Sequence, residues 1–264
     1  MDALLFIDTN IFLDFYRIRK SDVSMKYLQQ IEACKERIII GSQVEMEYKK
    51  NRQKVIVESL NKFSKPDWGK LSTPALVADI KPAKAIDNKK KEIDKHYKKV
   101  SEKIRKILEN PSSNDPVYQS LQRIFKNKTT YNLNRDADIR FKIRNLARKR
   151  FVLGYPPRKD SDTSIGDAVN WEWIIHCSAE SGKDIVIVTR DSDFGVSYND
   201  QAYLNDWLRQ EFKQRVSQRR KILLTNKLSE GLKIVHAAVT SEMVEAEQEL
   251  LQEMKLPEWL TGNN

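Results

Sequence analysis

Apolar residues along the chain fall into two kinds of run, and the two alternate. Leu4-Leu5-Phe6-Ile7, Ile38-Ile39-Ile40 and Ile185-Val186-Ile187-Val188 are apolar at every position. Strands buried on both faces read this way, as they do in parallel sheets covered by helices. Lys221-Ile222-Leu223-Leu224-Thr225 predicts a further strand. Elsewhere apolar residues return every three or four positions. That spacing predicts helices over Ile11–Tyr16, Met25–Cys34, from Ser42 onward, from Ser164 to about Ala179, along Leu204, Trp207, Leu208, Phe212 and Val216, and over Ser241–Met254. Alternation of this kind predicts an α/β fold with a parallel sheet.

One interval interrupts the alternation. After the prolines at 66, 74 and 82, helical spacing runs from Ile86 to Leu108 and again from about Asp136 to Arg150. The chain's net charge is +10, and residues 81–150 alone hold 21 Lys/Arg against 8 Asp/Glu, so the excess of cations belongs to this interval. A solvated helix face accounts for such a run as well as a polyanionic partner does. The lysines Lys89, Lys90, Lys91, Lys98 and Lys99 are its densest group and are candidate contacts for a nucleic-acid backbone, an attraction that salt would weaken. Two cysteines, Cys34 and Cys177, make no disulfide framework, and no stretch has the length and hydropathy of a signal peptide or membrane span. The expectation is a cytoplasmic protein without a membrane partner.

The chemistry lies in acids at element ends. Asp8 closes the first apolar run; its ordinary role would be to cap the next turn. Ser42 and Glu45 have capping-box spacing, which leaves Glu47 as the acid turned toward the strand ends. Asp167 stands near the start of a helix as a candidate partner of Ser164 or as the head of the Trp171, Ile174, Ser178 stripe. Asp191, with Asp193 beside it, follows the third buried run. Carboxylates converging at one sheet edge repel, and a divalent cation with oxygen ligands, Mg²⁺ or Mn²⁺, resolves the conflict. Thr9 and Thr189 would orient those carboxylates, and Asn10 would hold a ligand water. Arg158, Lys159 and Arg190 adjoin the acids in sequence and are candidate phosphate contacts, while His96, His176 and His236 lack zinc spacing and read as structural.

Phe6-Ile7-Asp8-Thr9-Asn10, Gly41-Ser42 with Glu47, Gly166-Asp167-Ala168 and Val188-Thr189-Arg190-Asp191-Ser192-Asp193-Phe194 resemble, in order, the four acidic motifs of the PIN-domain nucleases. The Tyr155-Pro156-Pro157 context is similar to that of a bacterial PIN-like subgroup with a long basic helical insertion. The resemblance implies a three-layer α/β/α fold around a central parallel sheet. It divides the chain into a nuclease domain over 1–230, interrupted by the helical insertion at 65–150, and a C-terminal helical extension over 231–264. It implies phosphodiester hydrolysis with one or two Mg²⁺ or Mn²⁺ ions, RNA favoured over DNA, with Asp8, Glu47, Asp167 and Asp191 as catalytic metal ligands and Asp193 as a further ligand. A toxin or a phage-defence effector would fit, as would a homodimer or a regulatory protein such as an antitoxin; the acidic stretch Glu242–Glu253 is a candidate surface for either partner. Two rivals stand beside this reading. One is a catalytically silent PIN-like binding module. The other is a phosphatase of the haloacid-dehalogenase type, which places a second Asp where this chain has Asn10. A nucleotide switch is disfavoured by the absence of a P-loop or GxGxxG.

Overall fold

A computed structural model of the chain describes residues 1–61, 66–157 and 164–255. β1 (Ala3–Ile7) leads through the short α1 (Thr9–Asp14) and α2 (Ser21–Ala33) to β2 (Ile38–Gly41) and α3 (Ser42–Asn61). The next interval carries α4 (Lys81–Glu109), the single turn α5 (Pro111–Asn114), α6 (Pro116–Phe125), the two-residue β3 (Asn132–Leu133) and α7 (Ile139–Val152). α8 (Gly166–Ser181) then leads to β4 (Asp184–Val188) and to a hairpin of β5 (Gly195–Tyr198) and β6 (Gln201–Leu204). α9 (Asp206–Arg215), β7 (Ile222–Thr225), α10 (Leu228–Ile234) and α11 (Ser241–Lys255) follow.

Five strands form one parallel sheet in the order β3-β2-β1-β4-β7. β1 is buried at every position because helices cover both faces. Consecutive strand residues point to opposite sides, and the contacts follow that rule. Leu5 meets α10 at Gly231, where an added Cβ would sit 3.0 Å from Leu5 Cδ1 and 2.5 Å from Val188 Cγ2. Phe6 turns the other way to Phe194, ring centroids 6.3 Å apart, and Phe194 in turn meets Trp171 of α8 at 6.5 Å. The α/β fold with a central parallel sheet is therefore as read from the apolar runs. Chain order reverses between β1 and β4, the place where open sheets of this kind form a ligand crevice beyond their carboxyl ends.

Several boundaries differ from the sequence reading. α4 begins five residues before Ile86, with Pro82 in its first turn, where a missing N–H costs nothing. Leu204 belongs to a strand, and α9 starts after Asn205, whose side chain accepts from Trp207 N at 3.0 Å. The β5–β6 turn is Asn199-Asp200, both at left-handed φ of 46° and 60°, as a tight hairpin requires. The capping box of Ser42 and Glu45 is not formed among the described residues; Glu45 accepts instead from Lys49 at 2.6 Å.

The interval 65–150 is not a detached helical unit. β3 adds the edge strand beside β2, and α6 buries Leu121, Ile124 and Phe125 in the main core. Asp115 caps α6 by accepting from Tyr118 N at 3.0 Å, and the same carboxylate takes Arg52 of α3 at 2.6 and 2.9 Å and Tyr16 Oη at 2.7 Å. The proposed division at residue 230 also falls inside a helix, since α10 spans Leu228–Ile234 and packs on the sheet. Nor does α11 offer its acids freely. Glu247 is buried and accepts from Leu228 N and Ser229 N at 2.5 and 3.0 Å, Glu242 pairs with Lys26 at 2.5 Å, and Glu253 pairs with Arg19 at 2.9 Å. These are partners within the chain, so the acidic helix is largely spent on its own fold. No helix among the described residues is long and apolar enough to cross a membrane.

Candidate active site

Beyond the carboxyl ends of β1 and β4 lies a cleft of about 250 Å³ whose lining includes Asp8, Glu47, Asp167 and Asp191. The acids arrive from four places: the end of β1, the second turn of α3, the first turn of α8 and the segment three residues beyond β4. Asp8 is 3% exposed. It does cap α1, accepting from Thr9 N at 2.6 Å, so its structural role and its place in the cleft coincide. Its second oxygen accepts from Thr189 Oγ1 at 2.6 Å and from Asn10 Nδ2 at 2.9 Å. Burial pushes the Asp8 carboxyl up to about 7 against the help of Thr189 and Thr9, and the charges of Asp191 and Glu47 push the same way. A carboxylate in this position is short of positive charge.

Glu47 accepts from two neutral side chains. Thr9 Oγ1 donates to it at 3.1 Å and Gln43 Nε2, one turn earlier on α3, at 2.6 Å. Its carboxylate leans on the start of α8, where Gly166 leaves the room; a Cβ there would collide with Glu47 Oε1 and stand 2.8 Å from Gln43 Nε2. Ser164 Oγ accepts from Gly166 N at 3.2 Å, and the cap position of α8 is Ile165, which offers no side-chain acceptor. Trp171, Ile174 and Ser178 are fully buried, but so is most of α8, because α7 covers the side away from the sheet. Thr189 Oγ1 also accepts from Asp191 N at 3.0 Å, so one hydroxyl ties the β1 acid to the β4 acid.

Among the described residues, no three carboxylate, imidazole or thiol side chains are already drawn together closely enough to hold an ion. The donor chemistry nevertheless fits a hard divalent cation. The acids in the cleft lining offer oxygens only, and the crowded Asp8 gains from any positive charge placed before it.

The other sequence candidates separate. Thr9 and Thr189 hold acids, as expected of them; Asn10 donates to Asp8 and Thr189 directly, at 2.9 and 3.1 Å, a carboxylate contact in place of the expected water contact. Asp193 lies in the turn after Asp191 and is not part of the cleft lining. Arg190 is not a phosphate contact. Its side chain is 10% exposed and forms ion pairs with Asp14 and with Glu247, the latter at 3.4 Å. Arg158 and Lys159 lie outside the described residues. None of the α4 lysines lines the cleft; Lys89 pairs with Glu92 at 2.7 Å and Lys90 donates to Leu71 O at 2.7 Å, while Lys91, Lys98 and Lys99 are exposed. His176 stacks on Trp173 with centroids 5.2 Å apart, and His236 occupies a left-handed turn at φ 64°, both structural roles.

Sequence reasoning missed Gln43, Lys50 and Ser164. Lys50 is the cation in the lining among the described residues, and its signal was its place one turn after Glu47. Compared with known proteins, residues 5–194 match the family model described as PIN domain. No curated protein and no solved structure matches the chain.

Proposed function

Since the chain belongs to the PIN-domain family over residues 5–194 and so has a nuclease-type fold, we propose that it hydrolyses phosphodiester bonds in nucleic acid, RNA before DNA, with Mg²⁺ or Mn²⁺. The observation that carries this reading is the meeting of Asp8, Glu47, Asp167 and Asp191 from separate elements in one cleft, with Asp8 driven up to about 7. Asp8, buried with neutral donors only and facing Asp191 and Glu47, gains from a cation placed before it.

Asp8, Glu47, Asp167 and Asp191 would hold the ion or ions. A bound cation would make a neighbouring water a better nucleophile and neutralise the phosphate and leaving oxygens. The surrounding groups set the geometry. Thr189 and Asn10 hold one oxygen of Asp8 and Thr9 N the other. Gln43 and Thr9 divide the oxygens of Glu47 between them. These fixed donors remove rotamer freedom before substrate arrives. Lys50, at the cleft's edge, is suited to a phosphate oxygen.

The test is cleavage of labelled single-stranded RNA and DNA by wild type and by Asp8→Asn, each with Mn²⁺, Mg²⁺ or EDTA. Cutting by wild type that EDTA abolishes and that Asp8→Asn lowers at least about a thousandfold supports the reading; that loss asks about 4 kcal/mol of the substitution. Absence of cutting in every condition, with strand binding retained, would leave a silent binding module.

A further inference from the structure

Beside the acid cleft lies a larger, open groove of about 790 Å³. Lys49, Lys126, Lys128 and Arg135 line it, with Glu45 and Asp136 as its acids. Glu45 is taken up by Lys49, so the unspent charge of the groove is basic. The two hollows share a wall. α3 gives Met46, Glu47 and Lys50 to the cleft and Ser42, Glu45 and Lys49 to the groove, neighbouring rows on the same first turns.

The positive charge continues past the groove. Arg140 Nη1 donates to the carbonyl of Arg135 at 2.9 Å, and Arg140, Arg144 and Arg148 follow at one-turn intervals on α7. Arg144 is held below the ordinary arginine value by burial and then by the nearby charges of Arg140, Arg148 and Arg135. None of these four has a carboxylate within 4 Å among the described residues, nor do Lys126 and Lys128. The fold thus assembles a row of cations from two separate stretches in which, among the described residues, the acid of the wall, Asp136, forms no ion pair with any of them. The α4 lysines contrast with it, for they line neither the cleft nor the groove.

We propose that this groove is the channel for the backbone of the strand being cut, its phosphates lying on Lys126, Lys128 and Arg135 and running on to the α7 arginines. The proposal rests on the nuclease reading above and deepens it. Phe125 is the aromatic of the groove wall and is nearly fully buried, so no stacking surface is offered. Contacts therefore go to phosphate rather than to bases, and binding there is tolerant of sequence.

The experiment replaces Lys126, Lys128 and Arg135 together by alanine, with a second variant, Lys126→Gln with Lys128→Gln, and an α4 comparison in which Lys91, Lys98 and Lys99 become alanine. All six side chains are exposed, so melting temperatures close to wild type are expected. Affinity for fluorescein-labelled single-stranded RNA is measured across a salt series on the Asp8→Asn background, and KM and kcat on the wild-type background. Losing three single-strand phosphate contacts lowers the salt slope by about 2 and affinity at 0.15 M salt on the order of 50-fold. KM rises with kcat nearly unchanged, the glutamine pair shows about two thirds of the slope change, and the α4 variant keeps the parent slope. A parent slope in the groove variants, while wild type still cuts, overturns the channel and leaves the nuclease reading intact. Groove-dependent binding by a protein that cuts nothing overturns the nuclease reading and keeps the groove as a strand site. Neither binding nor cutting overturns both.

Discussion

Asp8 and Asp115 are buried to the same degree, 3% and 2% exposed, and their surroundings are opposite. Asp115 receives the guanidinium of Arg52 at 2.6 and 2.9 Å, the hydroxyl of Tyr16 at 2.7 Å and a backbone N–H at 3.0 Å. Its charge is answered in full. Asp8 receives only neutral donors and faces Glu47 and Asp191. One aspartate fastens the interval 65–150 to α3, and the other holds a deficit of positive charge at a crevice. The difference separates a carboxylate that stabilises the fold from one left short of positive charge at the fold's expense.

The comparison can be broken from the Asp115 side first. Arg52→Ala leaves a buried carboxylate without its cation and should cost about 3–5 kcal/mol, read by denaturant unfolding. Tyr16 and Tyr48, whose hydroxyls lie 2.7 Å apart beside the same carboxylate, make collapse around the gap less able to compensate. A loss below about 1 kcal/mol would mean that Asp115 is not the lock between the two regions.

From the Asp8 side the effect has the other sign. In metal-free buffer at pH 8, Asp8→Asn should raise stability by about 2 kcal/mol: the shift from 3.8 to about 7 is worth roughly 4 kcal/mol, less the hydrogen bonds an amide cannot match. A carboxyl whose folded value is raised takes up its proton in the folded state first. Wild-type stability therefore falls as pH rises from about 4 to about 7 through this group and is lowest above that window. The advantage of Asp8→Asn should shrink toward pH 5 and disappear when Mn²⁺ is added to wild type. A pH profile with the same slope in both proteins would remove Asp8 as its source.

Gly166→Ala sharpens the contrast with the least disturbance. The new methyl meets the flexible ends of Glu47 and Gln43, not backbone, so stability should change by less than about 0.5 kcal/mol. The carboxylate must nevertheless move, and cleavage should drop about tenfold. Unchanged turnover would show that Glu47 can shift without consequence.

Much of this site was legible because each acid follows a feature that sequence displays. Asp8 and Asp191 come after fully apolar runs, and Glu47 and Asp167 come just inside helices with clear spacing. Arg190 misled for a physical reason: along extended backbone adjacent residues project to opposite sides, so the neighbour of a cleft acid points away from the cleft. Its partners, Asp14 and Glu247, are far off in the chain and carry no local signal. β3 was illegible because two residues hold no periodicity, and the β5–β6 hairpin announced itself only by Asn199-Asp200. The basic groove escaped notice because its cations come from α3, the turn after α6 and the stretch before α7, each unremarkable alone.

The ion pair between Arg190 and Glu247 has a consequence in time. During synthesis the N-terminal strands can pair early, since chains begin to fold as they emerge. The backbone that carries Asp191, however, is anchored through its neighbour by a residue made 57 positions later. While the chain is still on the ribosome and short of residue 247, the segment that carries Asp191 lacks this fastening. Completion of α11 therefore adds the last of the contacts that hold this segment, after those from Asp14 and Asn10 have been made.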